Sequence, residues 1–377
     1  MDAIGFSWRA LRDGFERFFF RPIDCRPAAL MRIGYACLLL IQNLAEAPNL
    51  LIWFGDHGVL TRAGARAITN PYALTLFSVL PAGDSWVVGM FMVYTAALLL
   101  LLVGFRSRWV MPIVYVLLVS FDHRNRLILD GEDGLLRVLG FLMLFMPIGA
   151  AFSVDAFLAR LRGRREPITR MEAWPIRLVQ IQMSLFFVGA ALWKFKGGDW
   201  LNGSTVYFVS RLDGFFGRFP IPRALFEWVP LLRLYTWSTL ILEIAAPFLI
   251  WVRELRRPVL CLLLVFHLSL DLSMNLLVFH WVMLLGWSSF LTVDDWRWLR
   301  ARARAGIARL GVRPVALYLP ATPEWQRLGE ALRAIDFLGL LEAGDPRARL
   351  PGPKKAADPD QPVRVAVRGR GMVAGSR

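Results

Sequence analysis

The sequence predicts an all-α polytopic membrane protein of about eight transmembrane helices with a short cytoplasmic tail. Three observations predict it. The chain is 56% hydrophobic over 377 residues, with mean hydropathy +0.48, above the roughly 45–50% apolar content of soluble domains. Several apolar runs reach the ~18 residues that a spanning helix requires. Arginine-rich loops alternate with loops of mixed charge, as the positive-inside rule demands.

Residues 1–22 come first. They carry acidic and basic groups ahead of any apolar run, which is not the layout of a cleavable signal sequence. Ile4, Trp8, Leu11, Phe15, Phe18 and Phe19 recur at helical spacing with Arg9, Arg12 and Arg17 between them. This is the pattern of an amphipathic helix lying in the membrane interface.

Residues 23–295 hold the spans. The clearest are Ser85–Val103, Leu135–Phe152, Pro175–Trp193, Leu231–Val252 and Val259–Leu291. Ala28–Trp53 and Trp109–Phe121 are two more, the first carrying Arg32 and Glu46, which lie near one face and are candidates to pair. As one helix, Val259–Leu291 would be about 50 Å long at 1.5 Å per residue, too long for a ~30 Å hydrocarbon core. Asp271, Ser273 and Asn275 interrupt it. The segment therefore reads as a hairpin of two short helices, or a span followed by a re-entrant piece.

Arg106 and Arg108, the loop 160–177, Arg253–Arg257 and the tail after Asp294 are arginine-rich, whereas loops 54–84, 122–134 and 197–230 mix both signs. This places both termini in the cytoplasm. The net charge of +15 thus reads as membrane topology and not as a nucleic-acid surface. Lys194 then lies at the outer end of its helix.

The tail divides into residues 296–349 and 350–377. Trp296–Leu310 reads as a basic helix on the inner membrane surface. Val315–Leu319 reads as a strand and Glu324–Ile335 as a helix. The stretch after 350 is rich in Pro, Gly and Arg and is expected to be disordered.

Chemistry is concentrated in few places. Of 44 basic residues only Lys194, Lys196, Lys354 and Lys355 are lysine. Arginine stays charged under nearly all conditions, whereas a desolvated lysine can lose its proton and act as a base. Stepping back from Lys194 by helical periods gives Ala191, Phe187, Met183 and Gln180, a mostly apolar face with one amide. Lys194 is thus either a base or a snorkelling anchor in an aromatic belt with Trp193 and Trp200. Lys196, further out and followed by two glycines, is the better anchor. Glu132, Asp133 and Arg137 enter the following span, as an ion-pair cluster or the polar lining of a substrate site. His267 and His280 face a common cavity only if Val259–Leu291 is a hairpin. Asp271 between them is a turn residue or a functional partner. Cys25, Cys37 and Cys261 are scattered, with no CxxC and no metal-ligand spacing. No internal repeat or pair of broken helices marks a transporter.

Five stretches in this order carry a resemblance: FGDHGVLTR (54–62), LLLLVGFRSR (99–108), LDGEDGLLRVLGFLMLF (129–145), QIQMSLFFVGAALWKFKGGDWLNGSTVY (180–207) and FHLSLDLSMNLLVFHWVMLLGWSSFL (266–291). Together they resemble the HTTM family, bacterial relatives of the membrane domain of vitamin K-dependent gamma-carboxylase. The resemblance implies a protein of the bacterial cytoplasmic membrane and an isoprenoid quinol as cofactor, either reduced menaquinone or vitamin K hydroquinone. In the carboxylase a lysine deprotonates the hydroquinone, whose reaction with oxygen to the epoxide drives carboxylation of glutamate. That lysine precedes an Asp-Trp…Gly stretch, matched here by Asp199, Trp200 and Gly203. The match implies Lys194 as the catalytic base, although the local spacing is one residue longer and Lys196 stands close by. His267 is similar to a family histidine and is the second implied catalytic residue. Gln180, Trp200, Glu132, Asp133, Arg137 and His280 are the candidate substrate-binding residues.

The sequence departs from the carboxylase in two respects. Glu132 and Asp133 stand where it has an asparagine-histidine pair, and no counterpart of its large lumenal domain is seen. Quinol epoxidation is therefore the nearer expectation than peptide carboxylation, and a non-catalytic lipid- or quinone-binding scaffold is the alternative. Residues 315–349 also resemble the start of a DCC thiol-disulfide oxidoreductase module, with Thr322 and Trp325 where its cysteines would stand. This suggests a membrane or thiol-redox protein as partner.

Overall fold

The computed structural model describes residues 8–311 apart from 69, 71–72, 74, 164–168, 213, 215 and 220–221. It also describes 315–318, 322–338, 340–343, 364–367 and 373–374. It is mostly helical. Four segments are long and apolar enough to cross a membrane: Arg26–Phe54, Asp84–Val103, Trp174–Lys194 and Val229–Leu249.

The chain begins with α1 (Trp8–Phe19), which buries none of its residues within the protein. Ile4, expected on its apolar face, lies outside the described residues. A short strand β1 (Pro22–Asp24) leads into α2 (Arg26–Glu46), opened by Pro27 in its first turn, where a missing N–H costs nothing. A 3₁₀ turn and α3 (Leu50–Phe54) complete this crossing. After α4 (Arg62–Ile68), α5 (Asp84–Val103) returns through the bundle. The helices α6 (Ser107–Arg124) and α7 (Gly131–Met143) follow.

Helix α7 corrects the expected span Leu135–Phe152. It starts earlier, because Asp130 and Asp133 form a capping box. It also stops nine residues earlier. Pro147 cannot donate a helical hydrogen bond, and it pushes the preceding residue out of the α region. The backbone tightens first: Leu144, Phe145 and Met146 each bond to the carbonyl three residues back.

The helix α8 (Val154–Leu161) and strand β2 (Arg170–Glu172) lead to α9 (Trp174–Lys194). Strand β2 pairs antiparallel with β1, tying α9 to the start of α2. Two short helices, α10 (Gly198–Asn202) and α11 (Thr205–Val209), then fold back onto α12 (Val229–Leu249). The 259–291 segment is two helices, α13 (Arg256–Ser273) and α14 (Phe279–Trp287), packed against each other. A break over 274–278 separates them, just after the polar residues that interrupt the run.

The helix α15 (Val293–Arg309) leaves the bundle behind a Thr292–Asp295 capping box. Burial raises the Asp295 pKa, but hydrogen bonds from Thr292 and the Arg257 guanidinium at 2.6 Å lower it more, to a value below the usual carboxylate range. Strand β3 (Val315–Tyr318), helix α16 (Pro323–Ile335) and strand β4 (Leu341–Ala343) form a strand–helix–strand unit with parallel strands. Leu319, the expected last strand residue, lies outside the described residues. The segment after 350, expected to be disordered, contains strands β5 (Arg364–Val367) and β6 (Val373–Ala374). Strand β5 pairs antiparallel with both β3 and β6. The alternating apolar residues of RVAV suit a strand, and this corrects the expectation at those positions; the rest of 350–377 lies outside the described residues.

Helix α16 packs on α8 through its small residues, with Gly329, Ala331 and Ala334 buried. The Phe152 N–H donates to the Ala334 carbonyl at 3.0 Å. On its other side, the Phe152 carbonyl accepts from Arg32 at 2.6 Å. Arg32 is fully buried there. It therefore joins α2 to the α8 region and does not pair with Glu46, which lies about 21 Å along the same helix at 1.5 Å per residue.

Gly104 closes this joint. It caps α5 at φ +71°, and an added Cβ would overlap Arg32 and the Ser153 side chain. Gly104→Ala is expected to cost about 2–5 kcal/mol, combining roughly 1–2 for left-handed backbone with ~1–3 for overlap. A lowered melting temperature in detergent is the readout.

At the other end of the bundle the loops are stapled by buried side chains. Arg124 donates to the Leu60 and Gly55 carbonyls at 2.9 and 2.6 Å, and Asn125 to that of Trp53 at 2.9 Å. Arg62 binds the carbonyls of Phe77 and Leu80.

Candidate functional site

Helix α9 buries the face that its period predicts: Gln180, Met183, Phe187 and Ala191 all point inward. Lys194 ends that face. Its Nζ donates to both carboxylate oxygens of Glu243, at 2.6 and 2.7 Å. The Lys194 side chain is 22% exposed and that of Glu243 8%. Glu243 is fourteen residues into α12, about 21 Å from its first turn at 1.5 Å per residue. Lys194 is the last residue of α9, and the loop after it folds back onto the first half of α12, so the pair is buried beneath that loop at the C-terminal end of α9. Trp200 on α10 covers it, its ring centre 5.1 Å from Nζ. Lys196 instead lies over Trp193 at 3.9 Å, a cation–π contact, and Trp193 is exposed on the outside of the bundle.

Glu243 was not among the residues singled out from sequence. A signal was present, because it is the one acidic residue of the α12 sequence VPLLRLYTWSTLILEIAAPFL, and an intramembrane carboxylate is by default functional or paired.

The α13–α14 turn brings His267 and His280 together, with ring centres 5.8 Å apart. Both are 1% exposed. His267 packs edge-on against Phe187 of the Lys194 face, at 6.0 Å, and Phe187 in turn against Trp287 at 4.8 Å. Neither nitrogen of either imidazole has a hydrogen-bond partner among the described residues, nor does Trp287 Nε1. Buried polar groups in native proteins are almost always paired, so these idle atoms mark a candidate site. Asp271, one helical turn beyond His267, is paired with Arg218 at 2.6 Å and pins the loop between α11 and α12.

The remaining candidates are engaged elsewhere. Gln180 donates to the Ser289 carbonyl and accepts from Arg177, both at 2.8 Å. It shares the inward face with Lys194 but lies towards the other end of α9, fourteen residues or about 21 Å away along the axis. Asp133 caps its own helix and accepts from Gln42 at 2.7 Å. Arg137 pairs with Asp122 at 3.2 Å. Glu132 is buried beside them on α7. Gln42, Asn43, Glu46, Asp122 and Asp133 line a small polar cavity of about 30 Å³, enough for one or two waters. Among the described residues no hydrogen bond or ion pair connects this cluster to Lys194.

The HTTM domain model matches residues 20–296. The chain belongs to the HTTM family. No curated protein and no solved structure matches it. The HTTM match takes in the Lys194–Glu243 pair, Trp200 and both histidines, and it ends just inside α15. The strand–helix–strand tail therefore lies beyond the HTTM domain. Within that tail Thr322 is the N-cap of α16 and Trp325 follows in its first turn. Cys25, near the start of the HTTM match, is 2% exposed. Burial, with the nearby Asp24 charge, pushes its pKa up to about 11, so it is a thiol at neutral pH and a poor nucleophile.

Proposed function

We propose that this HTTM protein is an integral membrane enzyme of a bacterial cytoplasmic membrane. In this reading it takes a proton from a lipid-soluble quinol at the Lys194–Glu243 pair. The helices α6 and α13, eighteen residues each, join the four long segments as membrane passes, and the shorter α7 and α14 pack among them as partial crossings, giving about eight helices within the membrane. The arginine-rich end, where both α1 and α15 lie, faces the cytoplasm.

The observation that carries the reading is the buried Lys194–Glu243 pair. Hydroquinone is a weak acid, and its proton needs a positioned base. Contacts of 2.6 and 2.7 Å let a proton pass from Nζ to the carboxylate. Lys194 then accepts the proton of the quinol. Trp200 keeps water from the ammonium on one side.

The histidines extend the same face. Phe187 carries it from Lys194 to His267 and His280, where a neutral imidazole offers one donor and one acceptor to a polar group of a ligand. A bound reduced quinone supplies the two electrons that an oxygen-consuming reaction requires. The expected product is the quinone epoxide, with carboxylation of an acceptor as its further coupling.

The test is direct. Purified protein supplied with reduced menaquinone is expected to consume it with oxygen uptake and to form epoxide. Absence of both, with Lys194 intact and the protein folded, would overturn the enzyme reading. The second reading is a non-catalytic lipid- or quinone-binding scaffold. Its support is that the ion pair joins α9 to α12 and that the tail presents a docked module on α8 for a protein partner. On that reading quinol binds without turnover.

A further inference from the structure

The arginine-rich end of the bundle contains an open cavity of about 700 Å³. Arg21, Arg26, Arg170, Arg177, Arg256 and Arg297 line it. They come from six places in the chain: the link after α1, the start of α2, β2, the first turn of α9 and the starts of α13 and α15. Against these six guanidinium groups Asp24 is the one carboxylate in the lining.

Some of this charge is already answered. Arg26 binds Asp24 through several contacts of 2.9–3.1 Å. Arg297 pairs with Asp294 at 3.1 Å. Arg177 donates to Gln180 and the Phe18 carbonyl, and stacks on Phe18 at 4.5 Å. The side chains of the other three, Arg21, Arg170 and Arg256, make no hydrogen bond or ion pair among the described residues. Arg256 Nε is buried there without a partner. Like charges gathered around one cavity repel at a cost unless an anion joins them. Guanidinium groups bind phosphate oxygens in bidentate fashion.

The other wall is apolar. Ile176, Trp251 and Phe290 border the cavity, with Phe18 of α1 against Trp251 at 5.7 Å. An inorganic phosphate would leave most of this space and all of this wall unused. A phosphodiester headgroup with its glycerol and upper acyl chain uses both. The depth is right as well, at the ends of the crossing helices α2 and α9.

We propose that this cavity binds the phosphate headgroup of an anionic membrane lipid. The site is separate from the Lys194–Glu243 pair, at the other end of α9. Gln180 borders it and is thereby given a role: its bonds to Arg177 and Ser289 hold Arg177 at the cavity wall.

The test uses the full-length protein in detergent, titrated with phosphatidylglycerol or phosphatidylcholine and read by native mass spectrometry. Phosphatidylglycerol is expected to be retained and phosphatidylcholine not. Near a membrane surface each basic residue contributes about 1 kcal/mol to anionic lipid binding, roughly fivefold. The triple variant Arg21→Gln/Arg170→Gln/Arg256→Gln should therefore lose on the order of a hundredfold in phosphatidylglycerol affinity. Arg302→Gln/Arg304→Gln/Arg309→Gln, on α15 away from the cavity, should lose little. Equal loss in both triples, or none in the first, overturns the site. If millimolar inorganic phosphate fully displaces the lipid, the site is one for free phosphate and the lipid assignment falls. Should the first triple fail to fold, Arg170→Gln alone is expected to lower affinity about fivefold, and no change there overturns the proposal.

Discussion

Lys194→Arg is expected to lower quinol-dependent turnover by about 10²–10⁴-fold, the usual contribution of a positioned general base, with the melting temperature unchanged. Arginine keeps the positive charge, and it can still reach Glu243. It cannot release a proton at any working pH. The substitution therefore separates a base from an anchor. If quinol turnover survives it, Lys194 is a structural cation and the scaffold reading stands. Lys196→Arg serves as the control, since Lys196 lies over exposed Trp193 and any cation there does the same work. A larger loss at Lys196 than at Lys194 would mean that the wrong lysine has been assigned.

Removing one member of the pair should instead strike the fold. Lys194→Ala is expected to cost about 3–5 kcal/mol, because it leaves a buried carboxylate without its counter-ion. Glu243→Ala leaves an ammonium in the same place, and the cost is similar in kind. The double variant Lys194→Met/Glu243→Leu should recover most of this loss, since well-packed apolar residues replace buried ion pairs with little penalty. Thermal denaturation in detergent reads all three. A double variant no more stable than the singles would show that the pair was not the source of the loss. Activity separates the roles again: the recovered double variant should fold and be inactive. A folded, active double variant would remove the pair from the chemistry altogether.

Much of the bundle is legible in local sequence because membrane helices obey local rules. The inward face of α9 follows from the spacing of Gln180, Met183, Phe187 and Ala191. The break between α13 and α14 follows from length, since one helix over 259–291 exceeds the hydrocarbon thickness. The end of α7 was also written locally, in Pro147, but the hydropathy of 144–152 masked it. The tail strands after 350 were hidden by the Pro/Gly/Arg composition around the short RVAV run.

The site is less legible. Lys194 and Trp200 are close in sequence, and their contact follows from one short turn. Glu243 is 49 residues from Lys194, and no local pattern selects it as the partner. Asp133 and Arg137 looked like substrate ligands because they are charges in a span. Asp133 is used to cap its own helix and hold Gln42, and Arg137 to neutralise Asp122. Gln180 shares a helical face with Lys194, but a face runs the whole length of a helix and says nothing about which end a ligand occupies.

The sequence by itself determined that this is a helical membrane protein of the HTTM family. It also determined where most of the helices run, and that the two lysines outside the tail stand at one helix end. These follow from transfer of apolar side chains out of water and from helical periodicity, both of which act over a few turns. Only the tertiary structure decided that Lys194 is neutralised by Glu243, that His267 meets His280 with their nitrogens unpaired, and that arginines from six places in the chain surround one cavity. Those pairings depend on how helices far apart in sequence pack side by side. The strength of a charge or a hydrogen bond inside an apolar bundle depends on which neighbours that packing supplies.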